Sequence, residues 1–567
     1  MQGDIDKVFL LDGLEHGFNL IDDNPVTFPA ECDNYLSATD VSVKTKVELQ
    51  IRDEILNGRY QVSEKRPVLI SALGAIPKPN KSEVRLIHDC SRPLGHSLND
   101  MASKNPVKYQ TLDEAVNLST PNCFYAKVDL KNAYRSVRIH PSNYGITGLK
   151  WHFSDAPHPT YMFDKRLPFG ARKSPAIFHR LTQAVRRIME SKGFGNIIVY
   201  LDDFLIVAQT RDECRLAMNT LITLLRELGF AINWSKVEDP NTRVIFLGVE
   251  LDSTNLTMSL PEGKLTELFN IIEEFKSKKR ASKKQLQSLA GRMNWACRVI
   301  RGGRVYLRRV LNCMNQLNLS HHKIRLDKSF KADLEWWHCW MTTFNGTCMF
   351  RKEIKGQVFV DACTSGAGVA YNGDWAYVAW EADWPEVANF HINFKEVLAV
   401  VVAARRWAAH WANSRVIIHT DSECARHILT KGSTRNEHIM PYIRELFWLA
   451  VSYNFEIDYY HIPGKINTLA DTISRLHENG RWFQLEALLR QSGTFLKPQF
   501  IKFHMSAKSI SYLIFQIKRW LELKMSWTET LTSIGLSHLP LQPNGHMPPI
   551  GNHIIPSAQT WDTSQSR

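Results

Sequence analysis

Carboxylates at the ends of apolar runs are the residues of this chain with the clearest chemistry. Ile197-Ile-Val-Tyr-Leu-Asp202-Asp203-Phe-Leu-Ile-Val207 sets two adjacent acids between two apolar β-runs, the pattern of a hairpin with its acids at the tight turn. An isolated Asp-Asp pair is ordinarily a solvated turn. Flanks this apolar bury both strands, however, and charge at the tip of a buried hairpin is costly unless a metal neutralises it. A third acid, Asp129, lies in Tyr125-Ala-Lys-Val-Asp129-Leu-Lys-Asn-Ala-Tyr134, a strand running into a helix. Asp129 with Asp202 could chelate two divalent ions about 4 Å apart, the arrangement used for in-line phosphoryl transfer. Carboxylate oxygens are the hard ligands that Mg²⁺ prefers.

A second set has the same character. Val358-Phe-Val-Asp361 puts an acid inside an apolar strand, Glu396 lies near the start of a strongly apolar helix, Asp421 ends the strand Val416-Ile-Ile-His-Thr, and Asp471 sits at a helix start, Asn467-Thr-Leu-Ala-Asp471. Any one of them alone is ordinarily a cap or surface acid. Four acids, each at an element's edge, can converge on one two-metal site.

The elements that must position these acids follow from periodicity. From Pro67 to about residue 252, short β-rich runs (Val84–Ile87, Tyr125–Leu130, Ile197–Leu201, Phe204–Val207, Val244–Val249) alternate with helical stretches at Ser174–Glu190 and Arg211–Leu228. Residues 1–60 mix acidic and apolar residues without a clear period and read as an extension. Residues 276–309 carry twelve Lys or Arg and no acid, with Leu286, Leu289 and Met293 marking a buried stripe, a basic helical region suited to nucleic-acid contact. A Trp-rich connector follows, Asp333-Leu-Glu-Trp-Trp-His-Cys-Trp340, and a new strand-helix alternation begins near residue 355 and ends near Leu476. The turn-rich end of the chain reads as partly disordered.

Composition bounds the function. With 567 residues the chain should hold several domains, and its 44% hydrophobic and 22% charged residues exclude disorder as a whole-chain description. Lys plus Arg exceeds Asp plus Glu by 13, which points toward a polyanionic partner. The longest apolar stretch, Val397–Ala404, is far short of the roughly twenty residues of a membrane span. No basic segment precedes a long apolar core at the N-terminus, so an intracellular protein, in cytoplasm or nucleus, is expected. The ten cysteines form no C-x-x-C pair or Cys/His run at zinc-knuckle spacing and are expected to be reduced thiols.

Tyr-Leu-Asp-Asp with these flanks resembles the polymerase signature of reverse transcriptases, and other motifs of that family occur in order. Arg85-Leu-Ile-His-Asp89 resembles the fingers strand whose Arg contacts the incoming triphosphate, with Lys78 or Lys81 as companion. Tyr134, five residues after Asp129, stands where the family carries its aromatic gate against a ribose 2′-hydroxyl. Leu167-Pro-Phe-Gly-Ala-Arg-Lys-Ser-Pro-Ala-Ile-Phe178 resembles the segment that contacts the nucleotide through positions matching Phe169 and Gly170. Leu228-Gly-Phe-Ala-Ile-Asn-Trp-Ser-Lys236 supplies Lys236 as a candidate proton donor to pyrophosphate, and Phe246-Leu-Gly-Val249 resembles the primer grip. The basic region would then be the thumb.

The second set is similar to ribonuclease H, with Asp361, Glu396, Asp421 and Asp471 in the family's metal-binding positions. One departure is visible: in His461-Ile-Pro-Gly-Lys465 a Lys stands two residues after the Pro, where the retroviral pattern has a catalytic His. The resemblance covers about residues 65–476 and implies a multidomain α+β and α/β protein, a right-hand polymerase (fingers, palm, thumb) followed by a ribonuclease H-like mixed-sheet domain. The implied division is an N-terminal extension (1–60), fingers and palm (61–255), thumb and connection (256–354), ribonuclease H-like domain (355–476) and C-terminal extension (477–567). It also implies Mg²⁺, with Mn²⁺ as an alternative, two ions per site; deoxynucleoside triphosphates; and RNA template, DNA primer and RNA–DNA hybrid as partners. The layout is that of retrotransposon Pol proteins. The connector, His391-Ile-Asn-Phe-Lys-Glu396 and Ala470-Asp-Thr-Ile-Ser-Arg475 are most like DIRS-type elements, with Gypsy-type elements second. Without a recognisable protease, zinc-binding or recombinase module, the chain is expected to be one piece of a larger element. The rival expectation is a decayed or domesticated copy that binds nucleic acid only.

Overall fold

The computed structural model of the chain describes residues 4–22, 29–77, 84–104, 106–478 and 480–491. It divides into two compact units, residues 1–247 with 251–254, and residues 248–250 with 255 onward.

In the first unit, a four-stranded sheet in the order Glu238–Asn241, Phe124–Asp129, Asp203–Ala208, Ile197–Tyr200 carries the helices Ser174–Ser191 and Arg211–Glu227. The first helix buries Ile177, Phe178, Leu181, Val185 and Met189, the spacing of a single helical face. The second opens on a capping box in which Thr210 and Glu213 satisfy each other's backbone N–H. These faces meet Val128, Val199, Phe204 and Ile206 of the sheet in one core. Beside the sheet lie a five-stranded sheet built from Ala30–Glu31, Leu69–Ile70, Gly148–Trp151, Thr160–Asp164 and Tyr60–Val62, and the hairpin of Ala72–Pro77 with Val84–Asp89.

The first sixty residues are not an extension. The helix Val41–Leu56 buries Val47 and Ile51 against Leu73, Leu86, Trp151 and Met162, and Ala30–Glu31 pairs with Leu69–Ile70. Its apolar positions, Val47, Ile51 and half-buried Ile55, are four apart, but the charged residues between them hide the period in the sequence. A second correction concerns the run Val244–Val249. Leu247 and Gly248 both hold positive φ, 47° and 75°, so a turn splits the run into the strands Arg243–Phe246 and Val249–Asp252.

The second unit contains the helices Glu262–Ser277, Lys283–Ala296, Arg308–Asn315 and Lys328–Trp340, then a five-stranded sheet in the order Asp374–Ala379, Gly366–Tyr371, Ile354–Ala362, Arg415–Thr420, Glu456–His461. The first two pairings of this sheet are antiparallel and the last two parallel. The helix Ile392–Trp407 packs on it with the whole run Val397–Ala404 buried, so that apolar stretch is a core helix. The basic region is more structural than its charge suggests, and it includes a short strand, Arg280–Ser282. At least eight of its twelve cations are engaged within the unit: Lys276 with Glu273 and Glu335, Lys278 with Glu274, Lys283 with the Asn318 carbonyl, Arg292 with Glu267, Arg298 over the Trp295 ring, Arg301 with the carbonyls of Ala450 and Phe455, Arg308 with Asn312, and Arg309 with Asp333.

The Trp-rich connector is the hub of this unit. Trp336 stacks on Tyr306 at 4.3 Å between centroids, and the Tyr306 hydroxyl accepts from Trp448 Nε1 at 3.0 Å. The C-terminal boundary near Leu476 also moves. The helix Arg481–Gln491 packs on the helix Thr468–Ser474, with Leu485 in a core of Ala370, Trp375, Ile473 and Leu476. The stretch from 492 onward, expected to be partly disordered, lies outside the described residues.

Candidate active sites

Two carboxylate clusters organise the chemistry, one in each unit. In the first, Asp203 sits directly opposite both Asp129 and Tyr200 in the ladder, so the hairpin turn is Leu201-Asp202 and all three acids meet at one end of the sheet. Leu201 holds φ 56°, the left-handed conformation that a two-residue hairpin turn demands and that costs a non-Gly residue about 1–3 kcal/mol. Asp202 accepts the Leu130 N–H at its carbonyl, tying the turn to the end of the Asp129 strand.

Asp129 is only 2% exposed. Its Oδ1 accepts from Asn233 Nδ2 at 2.7 Å and its Oδ2 pairs with Lys236 Nζ at 2.9 Å. Like charges directly across a ladder repel. Burial, a hydrogen bond to Asp129 and the nearby Asp202 charge push the Asp203 carboxyl up to about 7. Asp202 is raised too, by burial and then Asp129, with Lys236 and Arg85 opposing. Lys236 rises although burial opposes it, because the hydrogen bond and charge of Asp129 outweigh desolvation, so it stays an ammonium at neutral pH.

Above this cluster the Tyr134 ring packs between Phe169 and Phe178 at 5.3 and 5.2 Å. Phe169 is half exposed, and the Arg85 guanidinium lies 5.9 Å from its ring. The structure thus brings Arg85, Phe169, Tyr134, Lys236 and the three acids together. Gly170 serves a packing role: a Cβ there would stand 1.8 Å from the His88 carbonyl oxygen, in the strand that carries Arg85. Lys78 lies outside the described residues, as does Lys81. Sequence reasoning passed over Asn233, although it lies three residues before Lys236 in the same segment. It also passed over the buried Arg135, which pairs with Asp164 at 2.6 Å and Glu54 at 2.8 Å behind Tyr134.

In the second unit, Asp361 of the central strand, Glu396 of the buried helix and Asp421 after the strand Arg415–Thr420 each place a carboxylate oxygen within 4.8 Å of the others. Glu396 Oε2 is buried and has no hydrogen-bond partner. Burial, then the charges of Asp361 and Asp421, push Glu396 up to about 9. Asp361 rises to about 7, mainly by burial, although Ser474 Oγ donates to its Oδ2 at 2.6 Å. Asp471 stands apart from this trio, held by Arg475 Nε at 2.8 Å. Ser474, missed in the sequence, is three residues beyond Asp471 on the same helical face. In the departing loop, Gly464 lies against Asp421, and His461 Nε2 is 3.1 Å from the Asp421 backbone oxygen.

The family model for reverse transcriptase (RNA-dependent DNA polymerase) matches residues 76–251, which therefore form a reverse transcriptase domain. The chain is 24% identical to the genome polyprotein of Petunia vein clearing virus over 403 residues, 68% of this chain and 17% of that protein. It is 23% identical to the putative enzymatic polyprotein of Cassava vein mosaic virus over 65% of this chain and 55% of that protein. The Gag-Pol polyprotein of Gibbon ape leukemia virus matches at 25% over 177 residues, 30% of this chain and 10% of that protein. The chain thus spans at most about half the length of these viral polyproteins. Among solved structures, a foamy viral protease-reverse transcriptase with RNA/DNA hybrid aligns over 78% of this chain and 56% of that chain, TM-score 0.51 and 15% identity. The same viral protein with dsDNA gives TM-score 0.50, 18% identity, and 78% and 87% coverage. The fold is a right-hand polymerase followed by a ribonuclease H-like mixed-sheet domain.

Proposed function

We propose that the chain is an RNA-directed DNA polymerase with ribonuclease H activity, part of a retroelement Pol protein that copies an RNA template into DNA and degrades the RNA strand of the hybrid. The observation that carries the reading is the meeting of Asp129, Asp202 and Asp203 at a buried hairpin end, within the reverse transcriptase domain and beside Arg85, Tyr134 and Lys236. A second cluster of Asp361, Glu396 and Asp421 in a ribonuclease H-like sheet supports the hydrolytic half.

Both donor sets consist of carboxylate oxygens, and the partnerless buried Oε2 of Glu396 is what a bound hard cation would satisfy. Asp129, Asp202 and Asp203 would hold Mg²⁺ in the first site, and Asp361, Glu396, Asp421 and Asp471 in the second, two ions each, with Mn²⁺ as a substitute. When bound, such ions neutralise charge on the reacting phosphate and polarise its oxygens. The chain's own groups do the rest. The Arg85 guanidinium offers charge to the triphosphate of an incoming deoxynucleotide. The Tyr134 ring, packed against Phe169, would exclude a ribose 2′-hydroxyl. Lys236, kept an ammonium by Asp129, would give its proton to the leaving pyrophosphate. The remaining basic surface of the second unit meets template and primer through their phosphates, which makes affinity independent of sequence. Within retroelements we assign the chain to the DIRS-like group on its connector and its Ala-Asp-Thr-Ile-Ser-Arg motif.

The test is extension of a labelled DNA primer on an RNA template by purified protein, with and without Mg²⁺, reading DNA length and RNA fragments together. Metal-dependent extension with RNA cleavage is the expected result. Hybrid binding by folded protein with neither product would replace this function with nucleic-acid binding alone.

A further inference from the structure

We propose that Glu273, Glu335, His338 and Cys339 form a binding site for a zinc-class divalent cation that pins the helix Glu262–Ser277 to the Trp-rich helix Lys328–Trp340. Glu335, His338 and Cys339, spaced i, i+3 and i+4 on one helical face, place one donor atom each within 4.8 Å of one another. His338 Nε2 lies 2.5 Å from Glu273 Oε1 on the facing helix, so a fourth donor stands beside the group of three and would close on it as an ion binds. Sulfur, imidazole nitrogen and carboxylate oxygen together suit a borderline-soft tetrahedral ion, unlike the all-oxygen clusters of the two active sites.

The site is held in place before any ion arrives. Phe269 lies against the His338 ring at 4.7 Å between centroids and fixes its direction. Phe330, Leu334, Trp336, Trp337 and Trp340 bury the opposite side of the connector helix. Lys331 donates to the carbonyls of Phe275, Lys276 and Lys278, closing the end of the facing helix and locking the two together. A cation is already drawn to the spot: Lys276 Nζ stands 3.1 Å from both Glu273 Oε1 and Glu335 Oε2. Its hydrogen bond, and that of Cys339, outweigh burial and keep Glu335 below the usual glutamate range. Metal binding displaces this ammonium to solvent and releases the Cys339 thiol proton as the S–metal bond forms, so affinity rises with pH. The sequence alone shows only a His-Cys pair, because the fourth donor is sixty-five residues earlier on another helix.

The test uses the full chain after chelator treatment, with Co²⁺ as probe and Zn²⁺ as competitor. The expected result is a tetrahedral ligand-field spectrum with a thiolate-to-cobalt charge-transfer band, bleached by Zn²⁺. Cys339→Ser should remove the charge-transfer band, and His338→Gln or Glu273→Gln should weaken zinc binding at least about tenfold. Asp202→Asn and Asp421→Asn should leave the spectrum unchanged, which separates this site from the proposed activities. Circular dichroism of each variant verifies folding. No charge-transfer band in the wild-type chain, or the same band in folded Cys339→Ser, overturns the proposal.

Discussion

The two carboxylate clusters answer the same electrostatic problem differently. At the hairpin end, repulsion is relieved from within the chain: Lys236 and Asn233 hold Asp129, and Asp203 shares a hydrogen bond with it. In the ribonuclease H-like sheet no Lys or Arg is paired with Asp361, Glu396 or Asp421 among the described contacts, and the nearest engaged cation, Arg475, is on Asp471. Repulsion there is relieved by protonation, and Glu396 rises to about 9. The first cluster thus combines an internal cation on Asp129 with a proton on Asp203, whereas the second relies on protonation alone.

That contrast is broken most severely by Glu396→Gln. It should abolish RNA cleavage, by on the order of 10³-fold or more, while leaving primer extension within about twofold. It should also alter stability. Glu396 keeps its proton in the folded chain up to about pH 9 but releases it near its ordinary 4.5 when unfolded. Between those values the folded state binds more protons, so stability falls as pH rises. Melting temperatures measured from about pH 5 to about pH 8 should fall less steeply in the variant; an equal slope would remove Glu396 as a titrating group.

Lys236→Ala attacks the other half of the comparison. It should lower kcat for nucleotide addition by about 10²-fold with RNA cleavage intact. Lys236→Arg sharpens the point, since it restores the charge beside Asp129 but is a far weaker acid. Recovery by Arg would make Lys236 a counter-ion, and continued loss would make it the proton donor. Tyr134→Ala should reduce the preference for deoxynucleotides over ribonucleotides at least about tenfold in single-nucleotide kcat/KM. The smallest effect concerns support rather than chemistry. Gly170→Ala forces a methyl against the His88 carbonyl and should cost about 1–3 kcal/mol in denaturant unfolding of the first unit.

How much of this was legible in the sequence depends on the range of the interaction. The hairpin of Asp202 and Asp203 was readable because two continuous apolar runs around two acids are a local signal, and its strands fall at Ile197–Tyr200 and Asp203–Ala208. Asn233, Ser474 and Arg135 were not, because their roles depend on partners 29 to 113 residues away. The first sixty residues misled because Val47 and Ile51 are buried by strands that arrive later in the chain. The basic region misled in another way: charge counts do not reveal that Arg301 and Arg309 are spent on Phe455 and Asp333. Asp471 matched its motif, yet it lies outside the trio of Asp361, Glu396 and Asp421, a distinction only coordinates supply.

The most direct test of two independent carboxylate sites is one reaction containing labelled primer and labelled RNA template, run with Asp202→Asn, Asp421→Asn and the parent chain. Asp202→Asn should stop DNA synthesis and still cut a preformed hybrid, and Asp421→Asn should do the reverse. Loss of both activities in either folded variant would contradict the account.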